Sequence, residues 1–145
     1  ASDVYKRQVL TKGILPASLA YLSSENEYGI TLISLDEEYR KKMEPGAAPY
    51  RERLEALRSL YDAGCRTWVS IEPYPTPNLI EQSLGDLLDA VNFVNKIIFG
   101  RTNYSKETSA YTEHRKFYND KAAEVIQYCE KHHIEYHIKE GTITD

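Results

Sequence analysis

The sequence lacks the features that mark several broad classes of protein. Its 145 residues include two cysteines, one tryptophan and one methionine. Cys65 and Cys129 lie far apart and in no metal-ligand spacing, which predicts reduced, mostly buried thiols. No apolar run approaches the roughly 18 residues that a membrane helix needs, and the N-terminus shows no signal-peptide pattern. We therefore expect a cytoplasmic protein with no membrane partner.

The chain has no excess of basic residues. Lys and Arg total 18 against 22 Asp and Glu, for a formal net charge of -4, and no basic block is interleaved with aromatic residues. Binding to nucleic acid is therefore not supported by charge. Glycine-rich phosphate loops of the GxGxxG or GxxxxGK[ST] kind are also missing, which argues against a nucleotide-binding sheet.

The bulk composition is that of an ordinary globular domain, with 41% hydrophobic and 28% charged residues. The length suits one domain with a substantial core. Residues 1–8 (ASDVYKRQ) fit no secondary-structure element, and we interpret them as a non-native or truncated leader. Residues 9–145 form the predicted domain.

Apolar segments typical of strands alternate with segments of helical spacing along this domain. Strands are predicted at 9–11, 30–35, 67–71, 96–100 and 134–138, and helices at 16–27, 49–64, 78–91 and 115–131. Strict alternation requires parallel strands joined by right-handed crossovers. The predicted fold is therefore α/β, either an open doubly wound sheet or part of a β/α barrel.

Polar side chains follow each predicted strand. They are Lys12, then Ser34 with Asp36, then Glu72, then Arg101 with Asn103, and finally His137 with Lys139. In both candidate architectures the chemistry gathers at the carboxyl ends of the strands, which predicts a site along this edge. The alternative is that these residues are polar only because strand ends and loops meet solvent.

Three segments resemble the later strands of radical S-adenosylmethionine (AdoMet) enzymes, in the branch similar to spore photoproduct lyase and labelled DNA repair photolyase-like. They are LTKG (10–13), ITLISLDEEYRKKMEPGAAPYRERLEALRSLYDAG (30–64) and IEPYP (71–75). The tail segments FGRTNYSKET and FYNDKAAEVIQYCEKHHIEYHIKEGT are similar to the same branch. The resemblance implies a partial, TIM-like β/α barrel of about six strands. This chain would supply its C-terminal portion, with about five parallel strands alternating with helices.

The same resemblance implies two cofactors for the parent enzyme. In that family a C-x-x-x-C-x-x-C loop holds a 4Fe-4S cluster, which binds AdoMet and supplies the electron that cleaves it to a 5'-deoxyadenosyl radical. This sequence has no such motif, nor the glycine-rich strand that receives the AdoMet amino group. The resemblance thus implies that both belong to a missing N-terminal barrel half, and that this chain alone cannot bind the cluster.

Five residues take roles from the resemblance. Lys12 would lie near the AdoMet carboxylate, Ser34 near its ribose, and Glu72 near adenine, although the glycine-and-glutamate pattern around Glu72 is degenerate here. Arg101 and Asn103 would face substrate or cofactor. The plain alternatives are a solvated lysine, a backbone-capping serine and ordinary loop residues.

Two further features are interpreted as structural. Glu44 precedes a Pro-Gly pair and is expected to brace the loop that follows the second predicted strand. Cys129 with His132 and His133 superficially suggests a metal site, but one helix end without a fourth ligand makes a poor one.

The leading hypothesis is a fragment of a radical AdoMet enzyme, with a lyase or related reaction in the parent and no activity in this chain alone. One alternative is an inert half-barrel that associates with itself or another chain through its exposed first strand. Another is a cofactor-independent β/α lyase or isomerase. The sequence does not reveal the substrate.

Overall fold

Five strands form one parallel sheet in the computed structural model, which describes residues 8–23, 25–101 and 110–144. The strands are β1 (Gln8–Thr11), β2 (Glu27–Thr31), β3 (Arg66–Ile71), β4 (Lys96–Phe99) and β5 (Glu135–Ile138). Their order across the sheet is the same as their order along the chain, and every neighbouring pair is parallel. A doubly wound sheet reverses its order at a switch point. These five strands contain no such point.

Helical segments occupy the connections. They are a 3-10 helix (Ala17–Tyr21), α1 (Glu37–Met43), α2 (Tyr50–Asp62), α3 (Leu84–Val91) and α4 (His114–His132). The crossover from β2 to β3 carries both α1 and α2. None of the helices in the described ranges combines the length and the apolar character needed to cross a membrane.

Helix α2 follows from its residue spacing. Tyr50, Arg53, Leu57 and Leu60 are its buried residues, three or four positions apart, so they lie on one face of the helix. The helix ends at Asp62, two residues before Gly64, whose φ of 94° lies in the left-handed region that residues with a side chain rarely adopt. This stop turns the chain directly into β3.

The sheet has two unlike faces, because successive side chains of a strand point to opposite sides. One face joins α2, α3 and α4 in the hydrophobic core through Tyr28, Ile30, Val69, Ile71, Ile97 and Phe99. The strand residues between them contribute nothing to this core cluster; they include Gly29, Trp68, Lys96, Ser70 and Ile98. The helices therefore cover one side of the sheet.

The parallel α/β fold predicted from the sequence is confirmed, while several element boundaries were wrong. The predicted helix at 16–27 is only the short 3-10 helix, which buries no residue. Strand β2 begins earlier than predicted, at Glu27, because the Glu27 carboxylate is paired with Arg66 at 2.8 Å and so tolerates burial inside a strand.

The start of α3 also differs from the prediction. It begins after Ser83 instead of at residue 78, and the Ser83 hydroxyl oxygen caps it by accepting a hydrogen bond from the Asp86 amide at 3.1 Å. The side chain of Asn78 instead accepts a hydrogen bond from the Thr76 hydroxyl within the preceding turn. A side chain used in that turn does not cap the helix.

Candidate functional site

The carboxyl ends of the strands form one edge of the sheet, and predicted site residues follow them directly. Lys12 follows β1, Glu72 follows β3, and Lys139 follows β5. Neighbouring parallel strands are about 4.8 Å apart, and the register, continued by one residue, places Lys12 level with Ser70, two residues before Glu72. The backbones of Lys12 and Glu72 are therefore roughly 12 Å apart. Two clusters of charged side chains occupy this edge.

The first cluster joins Glu72 to Lys139 across β4. The Lys139 Nζ lies 3.5 Å from a Glu72 carboxylate oxygen, and both side chains are partly exposed. Gly100 sits between them: a Cβ at this position would lie 2.9 Å from the Cβ and Cγ of Lys139 and 3.2 Å from Glu72 Oε2. The absence of a side chain at Gly100 is therefore what allows the two charged side chains to approach.

The second cluster centres on the Glu44 carboxylate, which is nearly buried. Its Oε1 lies 3.0 Å from the Lys12 Nζ, and its Oε2 accepts a hydrogen bond from the Tyr50 hydroxyl at 2.8 Å. Oε2 also lies 3.5 Å from a terminal nitrogen of Arg53. The cluster joins the end of β1 to the first turns of α2.

Arg53 is completely buried. It donates hydrogen bonds to the carbonyl of Thr31 at 2.6 Å and to the carbonyl of Ala48 at 2.8 Å, besides its contact with Glu44. These acceptors and the carboxylate compensate for removing the guanidinium from water. Arg53 thereby fixes Glu44 relative to the end of β2.

The electrostatics keep Glu44 ionised. Burial alone would raise the pKa of the Glu44 carboxyl, but the ion pair with Lys12, the hydrogen bond from Tyr50 and the charge of Arg53 outweigh it and hold the pKa below its ordinary value. Burial and the bond to Glu44 raise the pKa of Tyr50, so that its hydroxyl remains a donor. Lys12 and Arg53 carry two positive charges against one negative charge on Glu44, which leaves a surplus of one positive charge.

The loop between α1 and α2 is held from both sides. Arg40 donates to Glu37 and to the carbonyl of Ala47, each at 2.8 Å, and the second oxygen of Glu37 accepts from the Tyr50 amide at 2.8 Å. The Lys12 carbonyl accepts a further hydrogen bond from this loop, from the Ala48 amide at 2.9 Å. These hydrogen bonds fix the loop that contains Pro45-Gly46 beside Lys12.

Ser34 does not line this edge. Its side chain is fully buried, and its hydroxyl oxygen accepts a hydrogen bond from the Asp36 amide at 3.0 Å. Asp36 in turn caps α1 by accepting from the Tyr39 amide at 2.9 Å. The geometry is that of a serine satisfying backbone at a turn, so it does not support the predicted contact with a ribose.

Arg101 packs toward the helices. The centre of its guanidinium lies 5.6 Å from the centroid of the Tyr118 ring, and its Nε is buried without a hydrogen-bond partner among the described residues. The second residue predicted to face substrate, Asn103, lies outside the described residues.

The metal site considered around Cys129 finds no geometric support. Cys129 is fully buried, and burial raises the pKa of its thiol to about 11. His132 stacks on Tyr128 at 4.2 Å, while His133 adopts the left-handed conformation that ends α4. Across the described ranges, no group of three or more His, Cys, Asp or Glu side chains is arranged to hold a metal ion.

The sheet face opposite the helices carries polar and aromatic groups below the edge. The indole of Trp68 lies over Gly29, where a Cβ would come within 2.5 Å of the ring. At the amino ends of the strands, Arg66 bridges Glu27 at 2.8 Å and Glu135 at 3.5 Å. This face therefore contributes no residue of these strands to the hydrophobic core cluster.

AdoMet, the cofactor implied by the sequence resemblance, fits this edge in part. Lys12 is half exposed and makes one ion pair with Glu44, so two of its three N–H donors remain for a carboxylate. Glu72 is accessible but shares its charge with Lys139. Ser34 does not fit, because its hydroxyl is buried.

Comparison of the chain with protein-family models, with curated proteins and with solved structures finds no match.

Proposed function

We propose that this chain forms the AdoMet-side part of a β/α barrel in a radical AdoMet enzyme, and that it is inactive alone. The observation that carries the proposal is the unreversed strand order with helices on one side of the sheet. Parallel strands in sequential order, joined by helical crossovers, are the repeating unit of a β/α barrel. The opposite face then corresponds to a barrel interior, and the edge with Lys12 and Glu72 to its mouth.

In this proposal, this chain contributes to binding AdoMet, and another part of the barrel carries out the redox chemistry. A reduced 4Fe-4S cluster held by three cysteines supplies the electron that cleaves AdoMet in the family. Cys65 and the fully buried Cys129 offer no such set. In this proposal Lys12 binds the carboxylate of AdoMet, Glu72 lies toward its adenine, and strands from another segment complete the barrel. An oxygen-sensitive cluster also favours a cytoplasmic location.

The proposal is tested by titrating AdoMet into the isotope-labelled chain and following amide chemical shifts. We expect binding no tighter than millimolar, about -4 kcal/mol, because the cluster that chelates the methionine moiety is absent. Shifts should concentrate at Lys12, Glu72 and Gly100 and vanish in Lys12→Ala. Lys41→Ala, which removes an exposed lysine of α1, is the matched control. Shifts that are scattered, or that survive in Lys12→Ala, would overturn the proposal.

A companion measurement tests the cluster-free part. Anaerobic reconstitution with iron and sulfide should leave no iron–sulfur absorption band on this chain. A stoichiometric band that survives desalting would refute the assignment of the cluster to another segment.

A second candidate function is association through β1, and a specific observation favours it. Val9, Leu10 and Ile14 are exposed apolar side chains on or beside this edge strand. Uncovered parallel strands with apolar side chains invite pairing. Sedimentation should show concentration-dependent self-association that Leu10→Asp weakens; a monomer at every concentration, stable to heating, would exclude this candidate.

A further inference from the structure

Among the residues that the structure describes, Glu44 is the ion-pair partner of the Lys12 ammonium. Its Nζ contacts Glu44 Oε1 at 3.0 Å, while 52% of the Lys12 side chain is exposed. A free lysine at a strand end samples many rotamers, and ordering such a side chain costs conformational entropy. A single, fixed carboxylate partner reduces that cost before any ligand arrives.

Glu44 is fixed independently of Lys12. Its other oxygen is held by the Tyr50 hydroxyl and by Arg53, and Arg53 is anchored on the carbonyls of Thr31 and Ala48. Removing Lys12 would leave these contacts in place. The position of the Lys12 ammonium therefore depends on Glu44, and the position of Glu44 depends on α2.

We infer that Glu44 is a positioning residue: it holds the Lys12 ammonium at the carboxyl end of β1 so that the remaining donors meet a monoanionic carboxylate. This inference rests on the proposed function and names the group that the Lys12 end of the site accepts. Lys12, Arg53 and Glu44 together carry one surplus positive charge, which one carboxylate neutralises. A phosphate dianion would leave the cluster negative.

The inference is tested without any cofactor by NMR of the chain labelled with ¹⁵N-lysine. Lys12→Ala assigns the Lys12 ammonium signal. In Glu44→Gln we expect hydrogen exchange of that ammonium to accelerate about threefold, the change that corresponds to losing a partly exposed ion pair of roughly 0.7 kcal/mol. Glu38→Gln, which removes the partner of Lys41 in an exposed pair at 3.7 Å, should leave Lys12 unchanged.

A variant that keeps the Glu44 carboxylate provides a second test in case Glu44→Gln does not fold. Tyr50→Phe retains the ring and removes only the hydroxyl that holds Glu44, so Lys12 exchange should rise by less than in Glu44→Gln. Unchanged Lys12 exchange in whichever of these variants folds would overturn the inference.

Titration separates this inference from the proposed function. With AdoMet as the probe, the dissociation constant should rise about threefold in Glu44→Gln, by the same ion-pair estimate. Decarboxylated AdoMet should bind both proteins equally. If Lys12 is mobilised but AdoMet shifts no resonance, the positioning role stands and the proposed function fails. If AdoMet binding needs Lys12 but ignores Glu44, the proposed function stands and the positioning role fails.

Discussion

Replacing Arg53 with methionine tests the buried core of the charged network. Methionine keeps most of the length of the side chain, so the substitution removes the charge and the donors while leaving a small cavity. Three acceptors lose their donor: the carbonyls of Thr31 and Ala48 and the carboxylate of Glu44. Glu44 would keep Lys12 and Tyr50 as partners.

The expected loss in the free energy of unfolding is about 3 to 4 kcal/mol. Breaking a buried ion pair by removing one partner costs roughly 3–5 kcal/mol, because the other charge remains buried. The Glu44–Arg53 contact at 3.5 Å is long, and Lys12 partly compensates, which favours the lower part of that range. Because total stabilities are about 5–15 kcal/mol, this loss should be large enough to measure without abolishing the fold.

Urea unfolding followed by far-ultraviolet circular dichroism and by the fluorescence of the single tryptophan measures the effect. Arg58→Met is the matched control: Arg58 lies on the same helix, in an exposed pair with Asp62 at 3.4 Å and 4.9 Å from the centroid of the Phe93 ring, and its loss should cost no more than about 1 kcal/mol. Arg53→Met combined with Glu44→Gln should cost less than the sum of the single changes by about 1–2 kcal/mol. If Arg53→Met and Arg58→Met unfold at the same urea concentration, the network does not stabilise the fold as described.

Three further outcomes follow from the structure. Gly100→Ala should lower stability by about 1–3 kcal/mol, because its Cβ would meet Lys139, whereas Gly46→Ala, with nothing within 4 Å, should be neutral or slightly stabilising in the same urea assay. A thiol reagent should modify Cys65 and leave the fully buried Cys129 unmodified until denaturant is added; two rapid reactions in the native protein would contradict the packing of α4. Since the pKa of Glu44 is lowered in the folded state, its stabilisation is present above the ordinary value of 4.5 and is lost as the pH falls below it, so Glu44→Gln should flatten the acid limb of a stability–pH curve. An unchanged acid limb would show that other carboxyls dominate it.

The elements that the sequence predicted well are those whose signals are local. Helix α2 has an apolar stripe and a glycine stop, and β3 is an apolar run broken by prolines. The start of β2 was missed because Glu27 looks like a loop residue until its partner Arg66 is known. That partner lies on the neighbouring strand, and no pattern within β2 reveals it.

A second error, at the end of β2, explains why the predicted site residues differ in how well they were placed. Lys12 and Glu72 directly follow strands whose carboxyl ends were predicted correctly. The strand predicted to end at residue 35 ends at Thr31, so Ser34 lies in the connection to α1 and its side chain turns into the protein. An error in the predicted end of a strand therefore becomes an error in the position of every site residue assigned to that end.

Arg53 was not predicted as a site residue, because it interrupts the apolar pattern of α2. It occupies a position of the buried stripe of α2, between Tyr50 and Leu57, where a charged residue reads as an imperfection in the helix. A charge at a core position requires partners, and those partners lie at the end of β2 and in the loop beside Lys12. An arginine at a buried position of α2 was therefore a signal in the sequence that this helix contacts the carboxyl ends of the strands. Because Glu44 contacts both Arg53 and Lys12, a change at Arg53 in α2 should alter the position of the Lys12 ammonium.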